Sequence, residues 1–315
     1  MAHSALHYTD NFPYENYEVL ASSNRSVWDP EGSYEFEKFE MREVDASLMW
    51  FQNNWTKSIV YSALYAVLIY FGRIYMESRP RFNLRLCLVI WSFSLAVFSW
   101  IGAIRVWVYT IDFVRTYGWK ASVCDPTLYK GVVGFWSWLF VLSKLPELGD
   151  TVFIVLRKQK LIFLHWYHHI TVLIYSWYTY PQLVAPSRYF VLMNFSVHSL
   201  MYTYYALKAS KWVSIPSWVN IVITSLQIAQ MFVGCFVNGY AYSIRNNGGF
   251  CATTDANLRA SFLMYLSYFA LFVHFFVETY VSSKRRQRDP LAEKTQAQKS
   301  LQDSNENMKT EKKIN

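Results

Sequence analysis

The sequence predicts an all-α, polytopic membrane protein with seven transmembrane helices, and three observations carry that expectation. Of the 315 residues, 53% are hydrophobic and 19% aromatic. Charge is concentrated at the ends: residues 1–56 hold ten acids against three bases, and residues 284–315 hold nine bases against five acids. Only seven acids remain between Lys57 and Ser283, namely Glu77, Asp112, Asp125, Glu147, Asp150, Asp255 and Glu278. A water-exposed surface of that size needs far more. The third observation is a series of seven apolar stretches near the roughly 20 residues that a bilayer crossing requires. Together these exclude a soluble enzyme, a nucleic-acid binder of the usual kind and a disulfide-rich secreted module. The net charge of +8 does not restore a nucleic-acid reading, because the bases sit in short loops and the tail and form no stripe.

The spans read Ser58 to Met76, Leu86 to Ile111, Val133 to Leu156, Ile162 to Tyr180, Ser187 to Leu207, Ser214 to Gly239 and Leu258 to Val281. Three regions follow: an acidic segment, 1–56; the helical domain, 57–283; and a basic tail, 284–315, expected to be disordered. The first 56 residues lack the basic and apolar regions of a cleavable signal, so the first helix is the expected targeting signal. Bases alternate between loops. Arg79, Arg81 and Arg85 lie in loop one, Arg157, Lys158 and Lys160 in loop three, and Lys208 and Lys211 in loop five; Lys284, Arg285, Arg286 and Arg288 open the tail. Basic loops stay cytosolic, which places the amino terminus in the lumen and the tail in the cytosol. Cys124 and Cys251 then share the oxidising side, where either a disulfide or two free thiols fits. Cys87 and Cys235 fall within spans and read as packing residues.

Polar groups within a bilayer are costly and mark function by default. Lys144, Glu147, Asp150 and Thr151 share a face of helix three. His165, His168 and His169, at i, i+3 and i+4, share a face of helix four. Asn194, His198, Tyr202 and Tyr205 line helix five; Thr224, Gln227 and Gln230 line helix six. At 1.5 Å per residue, His168 lies about 12–15 Å inside the cytosolic end of its helix, Asp150 about 10 Å and His198 about 15 Å inside theirs. A shared chamber in the cytosolic half satisfies all of them. Bland readings stay open for some: Lys144 with Glu147 as a packing ion pair, the helix-six glutamines as interhelical glue, the loop bases as topology signals alone. His274 reads as structural. Three histidines within five residues are not explained that way.

The histidine element is similar to that of membrane diiron desaturases, but those sites need more histidines than the seven here, of which His3 and His7 precede the spans. A mononuclear zinc site using two histidines with Glu147 or Asp150 stays open. Without a metal, the imidazoles can act as nucleophile and general base. No G-x-S-x-G element supports serine hydrolase chemistry. A seven-helix receptor or transporter is the competing class, although a receptor needs no histidine cluster facing the cytosolic half.

Four ordered elements, KLPELGDT from Lys144, HWYHH from His165, NFSVHSLMYTYY from Asn194 and TSLQIAQ from Thr224, resemble the signature elements of the very-long-chain fatty acid elongases. Lys144 through Trp177 is most similar to the branch acting on saturated and monounsaturated long-chain substrates. The resemblance covers roughly residues 50–283 and implies an acyl tunnel enclosed by the seven helices. It implies a very-long-chain 3-oxoacyl-CoA synthase, which joins a long-chain acyl-CoA to malonyl-CoA to give 3-oxoacyl-CoA, carbon dioxide and CoA. Both CoA thioesters are substrates, and no bound cofactor or metal is expected.

On that reading His168 is the nucleophile that carries the acyl group, a role His198 could also fill. Otherwise His198 serves the malonyl half-reaction, and His165 and His169 orient. Lys144, Asn194 and Gln227 are candidates for stabilising oxyanion or enolate charge, with Glu147 and Asp150 fixing the imidazoles and Lys144. Tyr202, Tyr205, Thr224 and Gln230 complete the substrate-binding set. Arg157, Lys158, Lys160, Lys208 and Lys211 are candidates for attracting CoA phosphates. Reductase and dehydratase enzymes of the elongation cycle and a second copy of the chain are expected partners. The ending Lys312-Lys313-Ile314-Asn315 resembles a dilysine retrieval signal of the endoplasmic reticulum membrane, and Asn24-Arg25-Ser26 is a lumenal glycosylation triplet.

Overall fold

The computed structural model describes residues 14–22, 32–39 and 41–282. Asn24, the basic tail and its dilysine ending lie outside the described residues. Among the described residues the fold is all-helical, with no strand. The helices are α1 (Tyr14–Ser22), α2 (Met41–Asn54), α3 (Lys57–Glu77), α4 (Arg85–Cys124), α5 (Gly131–Ser143), α6 (Gly149–Leu156), α7 (Phe163–Thr179), α8 (Ser187–Ser210), α9 (Trp218–Asn246) and α10 (Asp255–Phe276). Single 3-10 turns occupy Glu35–Glu37, Pro126–Tyr129, Pro146–Leu148 and Tyr180–Gln182, and a π turn follows over Val277–Ser282. The chain divides into two compact units, Met1–Phe269 and Ala270–Asn315. In the second unit His274 Nε2 faces Glu278 Oε2 at 3.7 Å on an exposed face.

Among the described residues, four helices are long and apolar enough to cross a membrane: Lys57–Glu77, Arg85–Cys124, Trp218–Asn246 and Asp255–Ser282. The other three expected spans are helical but fall short for a physical reason, because they carry much of the polar cluster. The third is broken, since Pro146 has no N–H to donate and its ring clashes with the carbonyl four residues earlier. A 3-10 turn therefore separates α5 from α6, in place of one helix from Val133 to Leu156. The fourth, α7, has 17 residues, and the fifth, α8, includes Asn194, His198 and Arg188 among its buried side chains.

The second helix exceeds expectation. Its 40 residues form two helical stretches, 85–117 and 119–124, joined at Gly118, whose φ of 81° is rarely adopted by residues with a Cβ, and the first stretch alone measures about 50 Å, well beyond the roughly 30 Å hydrocarbon thickness. Its main partner is α8. Gly102 permits the close approach: a Cβ there would stand 2.9 Å from the Phe195 ring.

Two ends of the first unit can be told apart. At one, Cys124 and Cys251 form a disulfide with Cα atoms 4.2 Å apart, and the Ala252 and Cys124 backbones are hydrogen-bonded beside it. At the other, bases meet helix ends. Lys158 Nζ donates to the carbonyls of Glu77 and Arg79 at 3.1 and 2.9 Å, and the Arg85 guanidinium donates to the carbonyls of Ala209 and Ser210. Such cations satisfy helix C-terminal carbonyls and complement the dipole.

The acidic amino-terminal segment is anchored through Glu37, which is fully buried. Its carboxylate accepts from Arg105 Nε at 2.8 Å, from the Arg105 terminal nitrogen, from Trp136 Nε1 at 2.8 Å and from the Tyr34 amide at 3.1 Å. Burial pushes the carboxyl upward, but the hydrogen bonds from Arg105, Trp136 and Tyr34 together hold it below its ordinary value. A depressed folded pKa contributes stability above the unfolded value and loses it as pH falls through the folded one. The melting temperature of wild type is therefore expected to drop as pH falls below the ordinary carboxylate range. Glu37→Gln should start lower and show a flatter acid profile in a pH-resolved thermal melt, and equal acid slopes for the two proteins would contradict this.

Candidate active site

The break at Pro146 shapes the site. It turns Lys144 and Glu147 inward, and Lys144 Nζ donates to Glu147 Oε1 and Oε2 at 2.8 and 3.0 Å and to Asn194 Oδ1 at 3.1 Å. The ammonium also lies 4.1 Å from the Phe140 ring centroid. Lys144 and Glu147 are 2% and 3% exposed, so neither charge is compensated by water. Ser143 Oγ donates to Glu147 Oε1 at 2.8 Å, completing that carboxylate's shell.

From Lys144 the network reaches His198 with a defined direction. Asn194 must turn its carbonyl oxygen to the ammonium, so its amide nitrogen donates to His198 Nε2 at 3.2 Å. Nε2 is then the acceptor and the imidazole proton is on Nδ1, which points toward Glu147 Oε2 at 3.9 Å. His198 is thus held in one tautomer between two members of the Lys144 cluster.

The three histidines of α7 have different surroundings. His165 Nε2 bonds to Thr151 Oγ1 at 3.0 Å, and Thr151 meets the Tyr65 hydroxyl at 2.5 Å. His169 is buried, its Nδ1 without a hydrogen-bond partner, with its ring 4.5 Å from that of His165 and 5.6 Å from that of His168. His168 stands 5.0 Å from the Tyr268 ring and lines a cavity. No ring hydrogen bond engages it among the described residues.

That cavity runs down α7 along His168, Val172, Tyr175, Ser176, Thr179 and Tyr180, a single helix face about 18 Å long. Ser137, Phe140 and Val141 of α5, Phe190, Val191 and Asn194 of α8, Gln230 and Met231 of α9, and Met264, Tyr265 and Tyr268 of α10 close its other sides. The walls are mostly apolar. Tyr129, Tyr180, Val184 and Ser187 form the floor, on the disulfide side.

Other residues singled out from sequence are placed differently. Asp150 does not meet an imidazole: Oδ1 accepts from Trp91 Nε1 and Oδ2 from the Tyr202 hydroxyl, both at 2.6 Å. Its position at the start of α6, the next turn after Glu147, points it toward α4 and α8. Thr151 is the α6 residue that meets a histidine. Tyr202, 5.4 Å ring to ring from His198, is buried, whereas Tyr205 is 44% exposed. Thr224 donates to the Asn220 carbonyl of its own helix at 2.9 Å, and Gln227 Nε2 reaches Met201 Sδ at 3.6 Å. Sequence reasoning missed Trp91, Tyr65 and Tyr268, since an aromatic N–H or O–H in an apolar span shows only that it needs a partner.

At the basic end, Arg157 and Lys211 line a surface pocket with Arg81, Arg85, Phe82, Asn83 and Gln159. Arg81 and Arg85 were assigned only to topology by sequence. Lys158 serves the helix-end carbonyls described above, Lys160 is exposed, and Lys208 stands over the Tyr204 ring at 5.1 Å. Among the described residues no group of three or more His, Cys, Asp or Glu side chains is arranged to hold a metal ion.

The sequence is similar to known proteins along most of its length. It is 52% identical over 256 residues to very long chain fatty acid elongase 6 of Gallus gallus, covering 81% of this chain and 95% of that protein. The Homo sapiens elongase 6 is 50% identical over 254 residues, 80% of this chain and 94% of the relative. Very long chain fatty acid elongase 3 of Homo sapiens is 48% identical over 235 residues, 74% and 86% respectively. The GNS1/SUR4 family, ELO, matches residues 50–288. With the family's region spanning every histidine of the site and half of the aligned residues identical to elongases, the chain belongs to the ELO family.

Proposed function

We propose that this protein catalyses the condensing step of fatty acid elongation, as a very-long-chain 3-oxoacyl-CoA synthase acting through an acyl-histidine. The observation that carries this reading is the difference among the imidazoles. His165 and His198 are committed to hydrogen bonds, while His168 opens onto an apolar cavity without one. The acyl chain lies in that cavity with its thioester at His168. A ring nitrogen attacks the carbonyl, the C–S bond breaks, and CoA leaves as the thiol with the displaced proton. Malonyl-CoA then loses carbon dioxide, and the resulting enolate attacks the acyl carbon. The imidazole is released, taking up one proton from solvent to replace the one lost with CoA, and 3-oxoacyl-CoA forms. His198, fixed by Asn194 and facing Glu147, serves the decarboxylating half-reaction. The Lys144 cluster and Gln227 hold developing negative charge, and Tyr202, Tyr205, Thr224 and Gln230 contribute to the substrate-binding walls. Asp150 positions Trp91 and Tyr202.

In this reading seven segments span the membrane of the endoplasmic reticulum, α5 and α6 together counting as one. The disulfide end is lumenal with the amino terminus, Asn24 is glycosylated, and the basic end is cytosolic with the tail. The pocket of Arg81, Arg85, Arg157 and Lys211 receives CoA phosphates, and Lys158, Lys160 and Lys208 add to the field there. Both thioesters are substrates and no bound cofactor takes part. The 3-oxo product requires reductase and dehydratase enzymes to return it to a saturated chain. The test is incubation of purified protein with malonyl-CoA and a series of saturated and monounsaturated acyl-CoAs, followed by mass spectrometry. Formation of 3-oxoacyl-CoA two carbons longer than the acceptor is expected, and malonyl-CoA left intact with every acceptor would overturn the assignment.

A further inference from the structure

The floor of the cavity is built from two tyrosines, Tyr129 and Tyr180, whose rings are 5.4 Å apart. Each stands on a 3-10 turn that an amino-terminal helix supports from behind: α1 packs on the Pro126–Tyr129 turn and α2 on the Tyr180–Gln182 turn. Both helices lie wholly or mostly before residue 50, where the family match begins. Leu20 of α1 and Val44, Leu48 and Phe51 of α2 are buried to 3% exposure or less, so the helices are packed into the unit.

The polar contacts are specific to the floor. Asn16 Nδ2 donates to the Gln182 carbonyl at 3.3 Å. Ser47 Oγ stands 3.1 Å from the Tyr180 hydroxyl, and the direction of that bond follows from a second one. The Ser47 hydroxyl donates to the Val44 carbonyl at 2.8 Å, and it has one proton, so Tyr180 must be the donor to Ser47. The Tyr180 ring is also backed by Phe51 at 4.9 Å, and it is 2% exposed. The turn it belongs to ends at Leu183 with φ 55°, a left-handed conformation that a leucine keeps only where its surroundings hold it.

We propose that α1 and α2 form a specificity cap, in which Ser47 and Phe51 hold Tyr180 across the cavity floor and thereby set the longest acyl chain the enzyme accepts. The proposal rests on the elongase reading and adds to it a determinant lying mostly outside the family's matched region. The chemistry is simple. Without an acceptor at Ser47 the buried Tyr180 hydroxyl has to find another partner, which moves the ring off its present position. Without the Phe51 ring the same side chain loses the surface that keeps it forward.

The test compares full-length wild type with Ser47→Ala, Ser47→Thr and Phe51→Leu on saturated acyl-CoAs of increasing length, reading kcat/KM for each and the product profile. For Ser47→Ala and Phe51→Leu, kcat/KM for the acceptor two carbons beyond the wild-type cut-off should rise on the order of tenfold relative to the shortest acceptor, the scale on which a pocket discriminates a methylene. Ser47→Thr keeps the acceptor oxygen and should restore the wild-type cut-off. A variant that loses rate equally on every length, with its cut-off unmoved, overturns the cap while leaving the reaction standing. Absence of extension by the wild-type chain would overturn the reaction and the cap together.

Discussion

His168→Ala is expected to release no CoA from an acyl-CoA supplied without malonyl-CoA. The wild-type chain should release CoA in an amount limited by enzyme, and the labelled peptide should span His165 to His169. Steady-state condensation by the variant should fall by about three orders of magnitude or more, as losses of covalent nucleophiles do. His198→Ala should retain the burst and fail in the malonyl half-reaction, because its imidazole is held by Asn194 and turned to Glu147. The competing outcome is normal condensation by wild type with no CoA released before malonyl-CoA is added. That result would replace the acyl-histidine by a ternary complex in which histidines act only as bases.

Glu147→Leu should be the most destabilising single change in the site. It removes both carboxylate oxygens bonded to Lys144 and leaves a buried ammonium facing Asn194 and an aromatic ring. Breaking a buried pair on one side costs about 3–5 kcal/mol, whereas replacing both partners by apolar groups of similar size is often close to neutral. The double variant Lys144→Met with Glu147→Leu should therefore recover much of the lost melting temperature while remaining inactive. A double variant no more stable than Glu147→Leu would show that the pair does not set the penalty. Recovery of activity with recovery of stability would show that these charges act only in packing.

Part of the polar cluster could be read before the structure; how its members would be joined could not. The i, i+3, i+4 histidines of α7 needed only helical periodicity, and Lys144 with Glu147 followed from the cost of isolated charge in a bilayer. The assignment of Asp150 to an imidazole failed because spacing along one ideal helix assumes an unbroken one. Pro146 interrupts that helix, so Asp150 faces Trp91 and Tyr202 and Thr151 takes the histidine. Boundaries of the second span also escaped the reading. Beyond Ile111 the helix of α4 continues through Asp112 and Arg115 to the break at Gly118, since charges mark the end of an apolar stretch but do not stop a helix. The role of α1 and α2 was hidden for a related reason. An acidic, polar segment shows no apolar face of span length, and the buried Asn16 and Leu20 and the half-buried Ser47 acquire meaning only from the turns their helices support.

The bond between Cys124 and Cys251 joins positions 127 residues apart, and the enclosed stretch contains all four polar elements, from Lys144 to Gln230. Helices α5 to α9 are thus members of one covalent macrocycle, stitched at the floor of the cavity and unstitched at the basic end. When such helices tilt against one another, the stitch is the fulcrum, and displacement grows with distance from it. The cavity floor beside the disulfide is then the part that moves least, and the basic end has the longest lever arm. On the reading proposed above, the one crosslink therefore puts the end that measures the acyl chain at the pivot and leaves the end that admits CoA thioesters free to spread.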